Sequence, residues 1–376
     1  MSWTDRYLSV RDRWLSSPRF QRWAAAFPLT RPTARKRARA LFDVCAGFVY
    51  SQILFACVRL KLFDLLASGP KTAAEIATAL NLPPDSTDRL LEAAVSLRLV
   101  EKRVAGRFGL GALGAAMVGN PAVSAMVEHH SLLYADLLDP VRLLRGEHRQ
   151  TALAEYWAYA KSDPPAGLPR AQSDDYTSLM RNSLALIADE ILDAYPLHKH
   201  RCLLDVGGGD GSFLLAAAER CEQLQLTLFD LPPVAARAAQ RFAALGLEAR
   251  ARAIGGDFLK DRLPEGADVI SLVRVVHDHS DAAAALILAA VYRALPPKGV
   301  LLLAEPMMGT PGAEPVGGAY FGFYLLAMGS GRARSPQALQ AMLAAAGFDS
   351  TQLVRTRQPL QSRLIVARKN GAGKVS

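Results

Sequence analysis

Apolar positions along the chain change their period near residue 200. Before it, they recur at helical spacing. Ile76, Leu80, Leu90, Leu91, Ala94 and Leu97 fall on single faces of two short helices, because residues three and four apart share a helix face. Thr72 caps the first of these helices. Pro83-Pro84 turns the chain, and the second helix starts at Ser86. VEKRVAGRFGLG then reads as a hairpin turning at Ala105-Gly106. Residues 123–161 keep a helical pattern, the prolines of SDPPAGLP (162–169) interrupt it, and a further helix runs over about 174–194.

From Arg201 onward, short apolar runs alternate with helices. CLLDVGG, LQLTLFDL, ARAIGGDF, ADVISLVRVV and VLLLAEP are the strands, and the alternation is that of βαβ units on a parallel sheet. FDSTQLVRTRQPLQSRLIVARK reads as two strands joined by a short turn, so the sheet should end with an antiparallel strand. The fold class is therefore α/β, preceded by a mainly helical region whose helix and hairpin order is that of a winged helix. The helix that would enter a DNA groove, DSTDRLLEAAVSLR, carries three acids against two arginines. That balance suits a dimerisation scaffold better than phosphate contact.

Charge sharpens the picture at the N-terminus. The 376 residues carry 44 Lys+Arg against 35 Asp+Glu, a net +9. Residues 1–40 hold ten of the basic side chains and only Asp5 and Asp12, a local +8. The rest is nearly neutral. Trp3, Trp14 and Trp23 lie in the same segment, and a basic arm with amphipathic aromatics suits an anionic membrane surface better than nucleic acid. A partly disordered tail is the plainer reading. Charged residues interrupt the first thirty positions before an apolar signal core can form, which predicts a cytoplasmic chain. The apolar run Val44–Val58 is shorter than the roughly 20 residues a bilayer needs and reads as a buried or subunit-contacting helix. Cys45, Cys57, Cys202 and Cys221 lack metal or redox spacing, and the histidine pairs lack partner ligands. No metal is expected.

Chemistry concentrates at the ends of the strands. The first strand runs into Asp205, Gly207, Gly209 and Gly211, a D-x-G-x-G-x-G loop rather than the dinucleotide G-x-G-x-x-G, so a ligand without pyrophosphate is expected. Asp230, followed by Leu231, ends the second strand, where a carboxylate accepts ribose hydroxyls. Asp257 and Phe258 follow the third and offer an acceptor and a ring to adenine. His277 leaves the fourth strand as a proton acceptor, although the same loop could simply cap the helix that follows, through Asp278, Ser280 or Asp281.

LLDVGGGDGSF, LFDLP, GGDF, VVHDHSD and LLLAEP, in this order and spacing, resemble the motifs of class I S-adenosylmethionine-dependent O-methyltransferases of the caffeate and acetylserotonin group. The resemblance covers roughly residues 40–370. It implies a Rossmann-like methyltransferase domain behind a winged-helix dimerisation domain, a homodimer, S-adenosyl-L-methionine as cofactor with S-adenosyl-L-homocysteine as product, and His277 as base. It divides the chain into an arm (1–40), a dimerisation and lid region (41–185) and a catalytic domain (186–376). Of the two glutamates flanking the base in plant relatives, Glu305 matches the first, while GSGRARS (329–335) holds no acid at the second. The family's cofactor-contacting lysine is Val273 here, next to Arg274. Met180 and Ser183 resemble the helix contacting the sulfonium end, or are simply core.

RFQRWAAAFPLTRPTARKRARALFDVCAGFVYSQ and AYFGFYLLAMGSGRARS resemble, more narrowly, the bacterial carotenoid O-methyltransferases acting on hydroxyneurosporene or demethylspheroidene. This implies a tertiary-alcohol acceptor, with Tyr320, Phe321, Tyr324 and Met328 lining its tunnel or else packing as a core helix. A methyltransferase for a phenol, aromatic polyketide or tetrapyrrole keeps every cofactor residue. A winged-helix regulator is the reading from another class.

Overall fold

The computed structural model describes residues 2–148, 150–161, 187–359 and 362–370. Their contacts divide the chain into two compact units, Met1–Asn120 and Pro121–Ser376. Residues 121–161, placed with the N-terminal helices on sequence grounds, cluster instead with the second unit.

The first unit begins with three helices, α1 (Trp3–Leu15), α2 (Pro18–Ala26) and α3 (Arg31–Arg59). Ser2 and Asp5 form a reciprocal capping box at the start of α1, satisfying two amides that the first turn leaves open. Then come α4 (Leu62–Ala67), β1 (Lys71–Thr72), α5 (Ala73–Leu80), α6 (Pro84–Ser96), β2 (Val100–Lys102), β3 (Arg107–Leu110) and α7 (Ala112–Ala115). Thr72 caps α5 as expected, and Glu75 completes a capping box with it. Helix α6 starts at Pro84 rather than Ser86, because proline's fixed φ and missing N–H suit the first helical position. The hairpin turns at Ala105, held in the left-handed region at φ 57. Leu62, Phe63, Leu66, Ile76, Leu91, Ala94, Leu99 and Val100 are buried in this unit. The apolar stretch of α3 is not buried in the single chain: Leu41, Phe42, Val44, Phe48 and Val49 are exposed, and only Cys57 and Val58 are covered.

The second unit opens with α8 (Pro121–Asp136), α9 (Pro140–Leu144) and α10 (Ala152–Lys161). Its seven-stranded sheet has the order β6-β5-β4-β7-β8-β10-β9, built from β4 (Cys202–Val206), β5 (Gln225–Asp230), β6 (Ala251–Gly255), β7 (Val269–Val273), β8 (Val300–Glu305), β9 (Ser350–Val354) and β10 (Arg363–Arg368). The first five strands in that order pair in parallel. The antiparallel strand is β10, inserted between β8 and β9, so it lies one place inside the edge where the sequence pattern put the end of the sheet.

The central strands are buried on both faces. Leu203, Val269, Val300, Leu302, Leu364 and Val366 enter one apolar cluster, and Leu204, Ile270, Leu301, Leu303 and Ile365 the other. Successive side chains of one strand thus anchor opposite helical layers, as the period of two demands. In the first unit, a side chain at Gly114 would collide with the Leu99 carbonyl. Gly114→Ala should therefore lower unfolding stability by about 1–3 kcal/mol, read as an earlier midpoint in urea denaturation.

Candidate active site

Strands β4 and β7 are neighbours whose connections leave in opposite directions, β4 toward β5 and β7 toward β8. The crevice at the carboxyl ends of such a pair is where open α/β sheets take ligands. The glycine loop leaves β4 and the His277 turn leaves β7. They meet directly, since a Cβ added to Gly207 would press on the Val275 side chain at 2.9 Å.

Gly209 has φ +61 and faces open space where a Cβ would stand, so its backbone is approachable. Gly211 adjoins the Phe242 ring, allowing the helix Ser212–Arg220 to pack closely. Asp230 accepts from the Gly209 amide at 2.8 Å and from the Leu231 amide at 2.7 Å, tying the loop to the end of β5. Asp257 accepts from the Leu259 amide at 2.9 Å. That bond, with Lys260 at 3.0 Å, keeps its carboxyl below the ordinary range despite partial burial. Phe258 stands edge-on to His279, with ring centres 5.4 Å apart. Asp205 lies beneath the turn, against Gly208. Its Oδ1 accepts from Ser271 Oγ at 2.6 Å, while Oδ2 is a buried atom lacking a partner among the described residues. Burial, opposed by Ser271 and aided by Asp230, pushes Asp205 up to about 7. Met180 and Ser183 lie outside the described residues.

His277 is held from both sides. Strand β7 stops at Val273 because Arg274 adopts a left-handed φ of 57, and a short turn, Val276–Asp278, presents the imidazole. Glu305, at the end of β8 and 1% exposed, accepts from the Val275 and Val276 amides at 3.1 and 2.7 Å. Its other oxygen meets His277 Nδ1 at 2.6 Å. Asp278 Oδ1 stands 3.1 Å from Nε2. The acid absent from GSGRARS is thus supplied to the ring by its own neighbour. Burial pulls the His277 pKa down, but Asp278 and Glu305 outweigh it, and the net shift is upward from 6.5. When Nδ1 carries its proton toward Glu305, Nε2 is the nitrogen that can accept another.

The GSGRARS segment has a different task, which no local pattern announces. Arg334, almost fully buried, donates to the carbonyls of Val276 and His279 at 2.9 and 2.8 Å and to Asp281 at 2.8 Å. The Arg332 amide donates to the His277 carbonyl at 2.8 Å. A side chain at Gly331 would strike that same carbonyl. The turn bearing His277 is therefore clamped along its backbone.

Beyond the imidazole stands an aromatic wall. Phe321 meets His277 edge-on at 5.9 Å, and the Arg274 guanidinium lies over the Phe321 ring at 5.8 Å. Tyr320 pairs with His130, and Tyr324 with His129, both at 2.8 Å. Trp157 Nε1 donates to the Tyr324 hydroxyl at 3.0 Å. Burial lowers His129 to about 4, helped by His130 and Arg274, and raises Tyr320 to about 12. Met328 packs with Leu133, Leu143, Leu153 and Leu325. Of the four expected tunnel residues, Tyr320, Phe321 and Tyr324 form this wall and Met328 backs it.

The match to known proteins follows this geometry. Residues 134–349 match the O-methyltransferase domain, and residues 42–120 match the O-methyltransferase dimerisation domain. The chain belongs to the O-methyltransferase family. It is 40% identical over 355 residues, 94% of this chain and 93% of the relative, to a demethylspheroidene O-methyltransferase of Cereibacter sphaeroides. It is 32% identical to mouse acetylserotonin O-methyltransferase, with 89% of each chain covered. Among solved structures, human N-acetylserotonin methyltransferase in complex with S-adenosylmethionine aligns with a TM-score of 0.67 at 26% identity, covering 89% of this chain and 98% of that one. The protein is accordingly an S-adenosylmethionine-dependent O-methyltransferase. The residues present fit that cofactor: an approachable glycine turn, acceptors on Asp230 and Asp257, and the Phe258 ring beside the turn.

Two outcomes follow from the clamp and the paired carboxylates. A base must be neutral to take a proton, so kcat/KM should rise with pH through a value above 6.5. Asp278→Asn should move that limb to lower pH, as measured in the pH–rate profile. The stability contributed by the ion pairs has the opposite course: it is complete below about 6.5 and lost as pH rises through the higher folded-state value. Arg334→Met should lower kcat on the order of a hundredfold by releasing the turn, while S-adenosylmethionine affinity, measured by calorimetry, stays near that of the unaltered enzyme.

Proposed function

We propose that this O-methyltransferase methylates the tertiary hydroxyl of an acyclic hydroxycarotenoid of the 1-hydroxyneurosporene or demethylspheroidene type. The observation that carries the reading is a doubly held His277 facing a wall whose hydroxyls are already paired. Among the described residues, Tyr320 and Tyr324 spend their hydroxyls on histidines and an indole. Such a wall suits an apolar chain with one hydroxyl at its end. The names of two relatives, demethylspheroidene O-methyltransferases at 40% and 39% identity, support the same acceptor.

The cofactor supplies an electrophilic methyl group on a sulfonium. In this reading the turn of Gly207, Gly209 and Gly211 receives it, Asp230 accepts its ribose hydroxyls, and Asp257 and Phe258 hold the adenine, with Leu231 closing that side. His277 Nε2 takes the acceptor's proton, and Glu305 stabilises the resulting imidazolium. A phenol titrates near 10 and an aliphatic alcohol far higher, so His277 does not hold a resting alkoxide. The proton leaves during or after attack, and positioning supplies much of the acceleration. The exposed face of α3, inside the matched dimerisation domain, is covered by a second copy in a homodimer. The enzyme is cytoplasmic and works at the membrane surface, because its acceptor dissolves in lipid.

Incubation with S-adenosylmethionine and either 1-hydroxyneurosporene or a simple phenol, with product masses measured, tests the acceptor. A mass gain of one methyl group on the carotenoid is expected; a methylated phenol beside untouched carotenoid overturns the reading. His277→Ala should keep cofactor affinity and lose about 10²–10⁴ in turnover.

A further inference from the structure

The first two helices carry a face that the protein itself leaves uncovered. Helix α1 buries none of its residues. Trp3, Tyr7, Val10 and Trp14 recur at i, i+4, i+7 and i+11, which places them on one stripe at about 100° per residue. They are 89%, 69%, 50% and 59% exposed. On the same wheel, Arg6 and Arg13 border the stripe on one side and Arg11 on the other, while Asp5 and Asp12 lie opposite, Asp12 within reach of Arg11 at 2.7 Å. The stripe continues through an aromatic ladder into α2. Trp14 meets Phe20 at 5.5 Å, Phe20 meets Trp23 at 5.6 Å, and Trp23 stacks on Phe27 at 5.2 Å. Trp23, Phe27 and Leu29 stay exposed.

We infer that this face is a docking surface for an anionic lipid bilayer, with the aromatic stripe seated at headgroup depth and the flanking arginines on lipid phosphates. Amphipathic rings at the centre, cations on both borders and acids on the far side are the charge order of a helix lying in a membrane interface. A second copy of the chain is the poorer occupant, because a self-complementary contact would set arginine borders against arginine borders across two helices that carry five arginines against two aspartates. The surface deepens the carotenoid reading, since a lipid-dissolved acceptor requires an enzyme at the bilayer, but its test contains no acceptor.

The full-length protein is mixed with vesicles of phosphatidylcholine alone or with phosphatidylglycerol added, and the pelleted fraction is measured at low and high salt. Pelleting with the anionic vesicles, weakened by salt, is expected. The triple variant W3S/Y7S/W14S should lose roughly tenfold or more of that partition while keeping its dimer mass and its S-adenosylmethionine affinity. Equal pelleting of variant and parent overturns the proposal. So does a variant that falls to monomers, which assigns the stripe to a second copy, or a parent that leaves the vesicles for an added single-stranded oligonucleotide. Membrane binding without carotenoid methylation would fail the acceptor and keep the surface; the reverse result would fail the surface alone.

Discussion

The site depends on one buried carboxylate. Glu305 sits at the carboxyl end of β8 with almost no solvent, where an unpaired charge would be very costly. It is compensated by the amides of Val275 and Val276 and by the His277 imidazole. The same bonds make the chain turn directly after β7 and aim the ring. Arg334 closes the turn from the other side through the carbonyls of Val276 and His279. Amides are thus gathered by an anion and carbonyls by a cation, so backbone groups of both kinds in this short turn have charged partners. The glycine loop of β4 can then press against Val275, because its neighbour does not move away.

Sequence pattern made part of this arrangement legible, and the limit is physical. Strands buried on both faces read as continuous apolar runs, and the residues at their ends follow in chain order. The Asp205–Gly211 loop, Asp230, Asp257 and His277 could therefore be placed without coordinates. The cap at Thr72 and the turn at Ala105 are local, and they too were visible. The pairs of His129 with Tyr324 and His130 with Tyr320 join residues 195 and 190 positions apart, and no periodicity encodes such contacts. Arg334 was hidden for the same reason: within GSGRARS an arginine reads as surface charge, and only folding shows it buried under the His277 turn. The place of β10 inside the sheet is likewise a matter of strand order, which apolar runs do not carry.

The aromatic wall carries polar atoms in an apolar place. Five of its members, His129, His130, Tyr320, Tyr324 and Trp157, direct a nitrogen or hydroxyl into a hydrogen bond rather than toward open space. Burial disfavours charge on each titratable member, which is why His129 falls to about 4 while Tyr320 rises to about 12. Both shifts keep those side chains neutral through the physiological range, and the charge beside them is the Arg274 guanidinium over the Phe321 ring. A neutral wall whose hydroxyls are spent discriminates little among apolar chains and strongly against acceptors with several polar groups, which would be desolvated there without new partners.

That neutrality sharpens the contrast with His277, whose pKa moves the other way although it is buried more deeply than His129. Asp278 and Glu305 make the difference. A base flanked by two carboxylates binds a proton more tightly than free imidazole, at the cost of being charged over more of the acidic range. A phenol gives up its proton near 10. A tertiary alcohol holds its proton far more firmly, so the oxygen becomes acidic only as its bond to the methyl carbon forms. The stronger the waiting base, the earlier in that bond-making it can begin to draw the proton. The pairing itself does not select the acceptor, since the plant relatives also flank their base with two glutamates; what differs in this chain is that the second carboxylate, Asp278, is carried by the residue next to the base.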